Sequence, residues 1–141
     1  MSILDEVQTG MNPGPVKMNI GGTDGIGKTT FAAGAPKPIF IKTEEGTRYV
    51  NTSSFPLCES FEDIMHRLKQ LVQEEHDFKT VVLDTTDWAE KLIQEEVARQ
   101  KNVSSIEDIG FGKGYTMTAE GFQKILRALD VLNDQKNMNV I

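Results

Sequence analysis

Gly22-Thr23-Asp24-Gly25-Ile26-Gly27-Lys28-Thr29 sets the reading of this 141-residue chain, because it satisfies G-x-x-x-x-G-K-[ST] at every fixed position. Glycines let a backbone turn its N–H groups inward and form a nest for anionic oxygens. A helix that starts there adds the amides of its first turn. The lysine reaches the β- and γ-phosphates of a nucleotide, and the hydroxyl after it coordinates magnesium. Gly22, Thr23, Asp24, Gly25, Ile26, Gly27, Lys28, Thr29 and Thr30 are therefore the candidate segment for ATP or GTP with Mg2+, and Lys28 is also a catalytic candidate. A chance glycine-rich turn is the alternative, and the flanks argue against it. Val16 to Ile20 alternates apolar residues and runs into Gly21-Gly22, which predicts a strand ending in a turn. Thr29 to Ala33 predicts a helix stopped early by Gly34 and Pro36.

Further out, Pro38-Ile39-Phe40-Ile41 predicts a second strand, and residues 46 to 58 an irregular segment. Ser60 and Asp63 match a capping box loosely, with Asp in place of Glu. Phe61, Ile64, Met65, Leu68, Leu71 and Val72 then recur at helical spacing and define one apolar face. Thr80-Val81-Val82-Leu83 is a β-branched run that predicts a strand buried on both sides. Asp87 to about Lys101 predicts a helix with Leu92, Ile93 and Val97 on one side and Trp88 with them in the core. Residues 102 to 115 predict a loop, and Thr118 to Asn133 a last helix with Phe122, Ile125, Leu126 and Leu129 inward. Met138 to Ile141 opens another strand. The alternation of strands and helices indicates an α/β fold with a parallel sheet. Residues 1–15, with Gly10, Asn12, Pro13, Gly14 and Pro15, read as a flexible lead-in, and 16–141 as the core domain.

The net charge of -6 argues against a domain that coats nucleic acid through overall positive charge, while leaving room for a local basic groove. No apolar run approaches the roughly 20 residues of a membrane span, so no membrane partner is expected. Met-Ser-Ile-Leu-Asp-Glu has neither the basic start nor the apolar stretch of a signal peptide. The one cysteine, Cys58, excludes an internal disulfide framework and a multi-cysteine zinc site. A reducing, cytoplasmic setting is the expectation.

Asp84 ends the apolar run Thr80 to Leu83 and would emerge at the carboxyl edge of the sheet, where α/β ligand sites form. It is the second metal candidate beside Thr29; capping the next helix is its alternative role, for which Asp87 competes. Hydrolysis also needs a group that orients or deprotonates water. Thr85 occupies the position after Asp84, so Glu44 and Glu45, just beyond the second strand, are the remaining carboxylates. Thr85 and Thr86 are read either as phosphate contacts or as the start of a helix. Gly110-Phe111-Gly112-Lys113-Gly114-Tyr115 suits a mobile loop that stacks on bases and touches phosphate, so Phe111, Lys113 and Tyr115 are candidate DNA contacts beside the reading of a plain connection. His66, His76 and Cys58 have no partner at metal-ligand or nucleophile spacing.

Together these motifs resemble the RecA-like branch of the P-loop ATPases, and more closely the phage-encoded nucleotide-binding proteins with a RecA-type core that serve in single-strand annealing and recombination. The resemblance spans about residues 16 to 141 and is carried by Gly22 to Thr29, Phe31 to Pro38, Thr43-Glu44, Thr80 to Asp84 with Trp88, and Gly110 to Tyr115. It implies a three-layer α/β/α fold with a mainly parallel sheet, and Glu44 rather than Glu45 as the water-activating catalytic residue. It also implies ATP, Mg2+, single-stranded DNA, a single-strand binding protein, a homo-oligomer and, for a phage protein, the host cytoplasm. In that branch the strand after the last helix lies between the P-loop strand and the strand of Asp84, and ends in a polar sensor residue. Met138 to Ile141 resembles its first half, so the expectation is a core truncated at its fourth strand, with a carboxyl part missing or supplied by a partner.

Two other functions compete. Gly22-Thr23-Asp24-Gly25 followed by Gly27-Lys28-Thr29 is similar to the thymidylate kinase P-loop, where that Asp faces the acceptor nucleotide; an Asp-Arg pair and an Arg-rich lid are lacking. A non-catalytic nucleotide-binding adaptor is the other.

Overall fold

In the computed structural model, which describes residues 2–11 and 13–141, the phosphate-loop sequence leads directly into helix α1 (Lys28–Ala33). Strand β1 (Pro38–Lys42) follows, then the two-residue strand β2 (Ser53–Ser54). Helix α2 (Phe61–Gln73) starts at Ser60, whose hydroxyl accepts the Asp63 amide at 3.1 Å. The Asp63 carboxylate takes the amide of Glu59 at 2.9 Å, one residue before the cap, so the box closes one position earlier than predicted. Strand β3 (Thr80–Asp84), helix α3 (Thr86–Gln100), helix α4 (Lys113–Gln135) and strand β4 (Asn139–Val140) complete the order.

Among the described residues the sheet has four strands in the order β2-β1-β3-β4, all parallel. Ile39 pairs with Val81, Lys42 with Asp84, and Val81 with Val140. The strand expected at Val16 to Ile20 is reduced to one parallel bridge, Lys17 with Val140. Its bonds are Met18 N–H to the Val140 carbonyl and Val140 N–H to the Val16 carbonyl, both 2.8 Å. The physical reason is partnership: this segment pairs on one side only, and β4 offers it two residues. Its place is the one implied for the P-loop strand, with β4 between it and β3.

Alternation in β1 and β3 gives the sheet two apolar faces. Ile39, Ile41 and Val81 face α2, α3 and α4, and pack with Ile64, Leu68, Ile93, Ile125 and Leu132. Each such side chain, fully buried, contributes about 1.5–3 kcal/mol. Phe40 and Val82 face the other way, against Ala32 of α1. The result is three layers, one of them thin.

Two inward residues are corrected by one step of helical rotation. The buried stripe of α3 is Ala89, Ile93 and Val97, so Trp88, about 100° around the axis, is 43% exposed with the Lys91 ammonium 4.1 Å from its ring centroid. In α4 the stripe is Ile125, Leu129 and Leu132, which leaves Leu126 47% exposed. The loop expected over 102–115 is also more ordered than predicted. It holds two short 3-10 turns, Ile106–Asp108 and Gly110–Gly112, and α4 begins at Lys113, five residues earlier than Thr118. Gly114 is buried against Ile106, where an added Cβ would lie 2.9 Å from the Ile106 Cβ. That glycine serves close packing and not mobility.

Candidate nucleotide-binding site

Parallel strands deliver their carboxyl ends to one edge, and Thr29 and Asp84 meet there. The loop after Gly21 makes its turns with Gly25 at φ +79° and Gly27 at φ +106°, conformations an L side chain rarely adopts. Ile26 N–H bonds to the Thr23 carbonyl at 3.3 Å, and Phe31 N–H to the Gly27 carbonyl at 2.9 Å. The Lys28 ammonium donates to the Gly22 carbonyl, so the cation spans the loop from its end to its beginning. Among the described residues the amides of Asp24, Gly25, Gly27, Lys28, Thr29 and Thr30 have no hydrogen-bond acceptor. With six residues α1 carries little dipole, so it is these local amides that can receive anionic oxygens. Thr23, Asp24, Ile26 and Thr30 are exposed along the same loop.

The Thr29 hydroxyl donates to Asp84 Oδ2 at 2.8 Å, a contact between residues 55 apart in the chain. Asp84 is buried at the end of β3. Its carbonyl accepts the Thr43 amide at 2.8 Å, and the Thr43 hydroxyl both donates to the Thr85 carbonyl and accepts from the Thr85 amide, each at 2.8 Å. The peptide joining Asp84 to Thr85 is cis. The buried Thr43 therefore staples the exit of β1 to the exit of β3, a role the sequence reading missed. The signal available was a threonine directly after an apolar strand, too common to single out. The staple brings Glu44 to the same edge as Asp84.

Glu45 is ion-paired with Lys42 at 3.3 Å, whereas half-buried Glu44 has no hydrogen bond or ion pair among the described residues. Thr85 caps α3 by accepting the Trp88 amide at 3.4 Å, and Thr86 is the first residue of that helix, so both follow the helix-start reading. Cys58 is buried behind β1, its amide bonded to the Lys42 carbonyl at 2.9 Å, and burial pushes its thiol up to about 11. Such a thiol is no nucleophile at neutral pH.

The oxygens of Thr29 and Asp84 are hard donors that suit magnesium. No group of three or more His, Cys, Asp or Glu side chains among the described residues is arranged to hold a metal. A cation here would rely on this pair and on phosphate oxygens, the coordination habit of Mg2+.

Residues 14–141, nearly the whole chain, match the family described as AAA domain. The chain belongs to this family. The AAA domain thus contains a P-loop ATPase unit that binds nucleotide. Neither the curated proteins nor the solved structures compared with it give a significant match. No helix of the described residues is long and apolar enough to cross a membrane.

Lys113 and Tyr115 of this AAA domain lie exposed on the first turn of α4, not on a mobile loop, and the Tyr115 hydroxyl reaches Glu107 at 3.5 Å. The Phe111 side chain lies outside the described residues. Lys113 lines a groove of about 600 Å³ with Lys101, Ile109 and Met117, and no phosphate-loop residue borders it.

Proposed function

We propose that this AAA domain binds ATP with magnesium through Gly22 to Thr30 and Asp84, and hydrolyses it with Glu44 as the group that activates water. The observation that carries the reading is the 2.8 Å bond from Thr29 to Asp84. It joins the two sequence elements that a magnesium–phosphate site needs, at the edge where such sites form. In this reading the free amides of the loop bind the phosphates, and Lys28 leaves the Gly22 carbonyl to bridge the β- and γ-phosphates. Thr29 and Asp84 hold the metal, which when bound neutralises charge on the phosphate oxygens. Glu44, not engaged by a cation, accepts the proton of the attacking water.

The wider role we propose is that of a RecA-like, phage-type protein, self-assembling and acting on single-stranded DNA in recombination or annealing, with a single-strand binding protein as a further partner. Support for this part is the resemblance over Gly22 to Thr29, Thr43-Glu44 and Thr80 to Asp84, together with exposed Lys113 and Tyr115. The test is phosphate release from ATP with and without single-stranded DNA, run beside transfer to dTMP. DNA-stimulated release is the expected result. Transfer to dTMP would assign a thymidylate-type kinase, and binding without turnover an adaptor. Lys28→Ala should abolish ATP binding in a filter or fluorescence assay; equal affinity in that variant would remove the basis of the reading.

A further inference from the structure

We infer that Gly46 is a positioning residue for the metal: its missing side chain keeps one flank of the Thr29–Asp84 pair open for a magnesium ion that retains its waters. This rests on the metal reading proposed above. A Cβ built on Gly46 would lie 3.6 Å from Thr29 Oγ1 and 3.7 Å from Asp84 Oδ2, and among the described residues no other atom outside its chain neighbours comes within 4 Å of it. The backbone at Gly46 is not in the left-handed region, unlike Gly25 and Gly27, so its conformation does not call for glycine. Packing does not call for it either, since both distances are ordinary van der Waals contacts. What an added side chain would occupy is the space beside the two oxygens proposed as ligands.

That space cannot easily be recovered by moving the loop. Thr43, three residues before, is held to Asp84 and Thr85. Thr47, directly after, is buried, and its carbonyl accepts the Val50 amide at 2.9 Å. Magnesium sheds water reluctantly and is usually bound by one or two protein oxygens plus phosphate, with several waters kept. A methyl group at residue 46 therefore competes with those waters, while touching only the Thr29 hydroxyl of the phosphate loop and none of its amides.

The experiment uses the full chain and measures ATP binding twice, in excess EDTA and across a MgCl2 titration, for the parent, Gly46→Ala, Gly46→Val and Thr29→Ala. Gly46→Ala should keep the parent's circular dichroism and its ATP affinity in EDTA. The Mg2+ concentration for half-maximal enhancement should rise about 10- to 100-fold, as for other residues that shape a metal's outer shell, and further for Gly46→Val. If Thr29→Ala loses the enhancement while Gly46→Ala and Gly46→Val keep the parent's midpoint, the role of Gly46 is overturned and the metal reading stands. If the parent itself shows no Mg2+ enhancement, the metal reading fails and takes this inference with it. A second measurement needs no variant: with ATP present, Mn2+ in place of Mg2+ should broaden the Gly46 amide signal in the NMR spectrum. A Gly46 signal left sharp contradicts the placement.

Discussion

Glu44 and Glu45 are neighbours with the same chemistry, and the fold gives them different surroundings. Glu45 lies 3.3 Å from Lys42, whose side chain is only 14% exposed, while Glu44 has no cation within ion-pair distance among the described residues. A partly solvated pair of this kind is worth at most about 1 kcal/mol, yet it occupies the carboxylate that would otherwise compete for water. Glu44→Gln should leave ATP binding unchanged and lower the single-turnover rate of phosphate release by about 10²- to 10⁴-fold, the usual contribution of a general base. Glu45→Gln should change that rate by less than about tenfold, since a released surface pair is worth little. The reverse order would move the base to Glu45. At this scale the phosphate loop was legible in the sequence, because its residue types have one shared use. The preference for Glu44 over Glu45 rested on resemblance, and the Lys42–Glu45 pair that sets the two apart in surroundings appears only once β1 ends and the chain turns.

Helix α4 meets α3 at Gly121, where an added Cβ would sit 2.6 Å from Ile93 Cγ2. Alanine would raise helix propensity by about 1 kcal/mol, but wedging a methyl group into a packed contact costs about 1–3 kcal/mol. Packing should win: Gly121→Ala should lower the urea midpoint at an unchanged slope. In an Ile93→Ala background the same change should cost less, or stabilise. Equal costs in both backgrounds would show that the helices do not touch there. Helices α2, α3 and α4 were legible from their apolar periodicity, which reports one stripe through the whole element. Periodicity is weaker at stripe borders, so Trp88 and Leu126 were placed inward although each lies one rotation off the buried line. Val16 to Ile20 shows a different limit. Its alternation is real, but a ladder needs a partner, and β4 supplies it a single bridge. Gly110, Gly112 and Gly114 read as mobility because composition does not show that Gly114 packs against Ile106.

Across the whole molecule the two faces of the sheet are unequal. Helices α2, α3 and α4 cover one face with the larger core, and the short α1, with Ile141, packs against Phe40 and Val82 on the other, beside the phosphate loop. Global stability therefore resides mainly on the first face, where Cys58 is buried at 2% exposure. Burial pushes its thiol up to about 11 from an ordinary value of 9.0; Arg67 lowers it and Asp63 raises it by smaller amounts. The folded state thus holds the proton over a pH range in which the unfolded chain has lost it. The thiol's contribution is fully present below pH 9 and is lost as pH rises from there to about 11. Its slope reaches at most about 1.4 kcal/mol per pH unit. Lysines and tyrosines titrate in the same range, so the informative quantity is the difference between the parent and Cys58→Ala in urea unfolding at pH 8, 9 and 10. Cys58→Ala should be less stable at pH 8, because it leaves a cavity in the core, and the gap should narrow steadily toward pH 10. A gap that stays constant would mean that Cys58 ionises as freely in the folded protein as in the unfolded chain, and so does not lie within the core on that face.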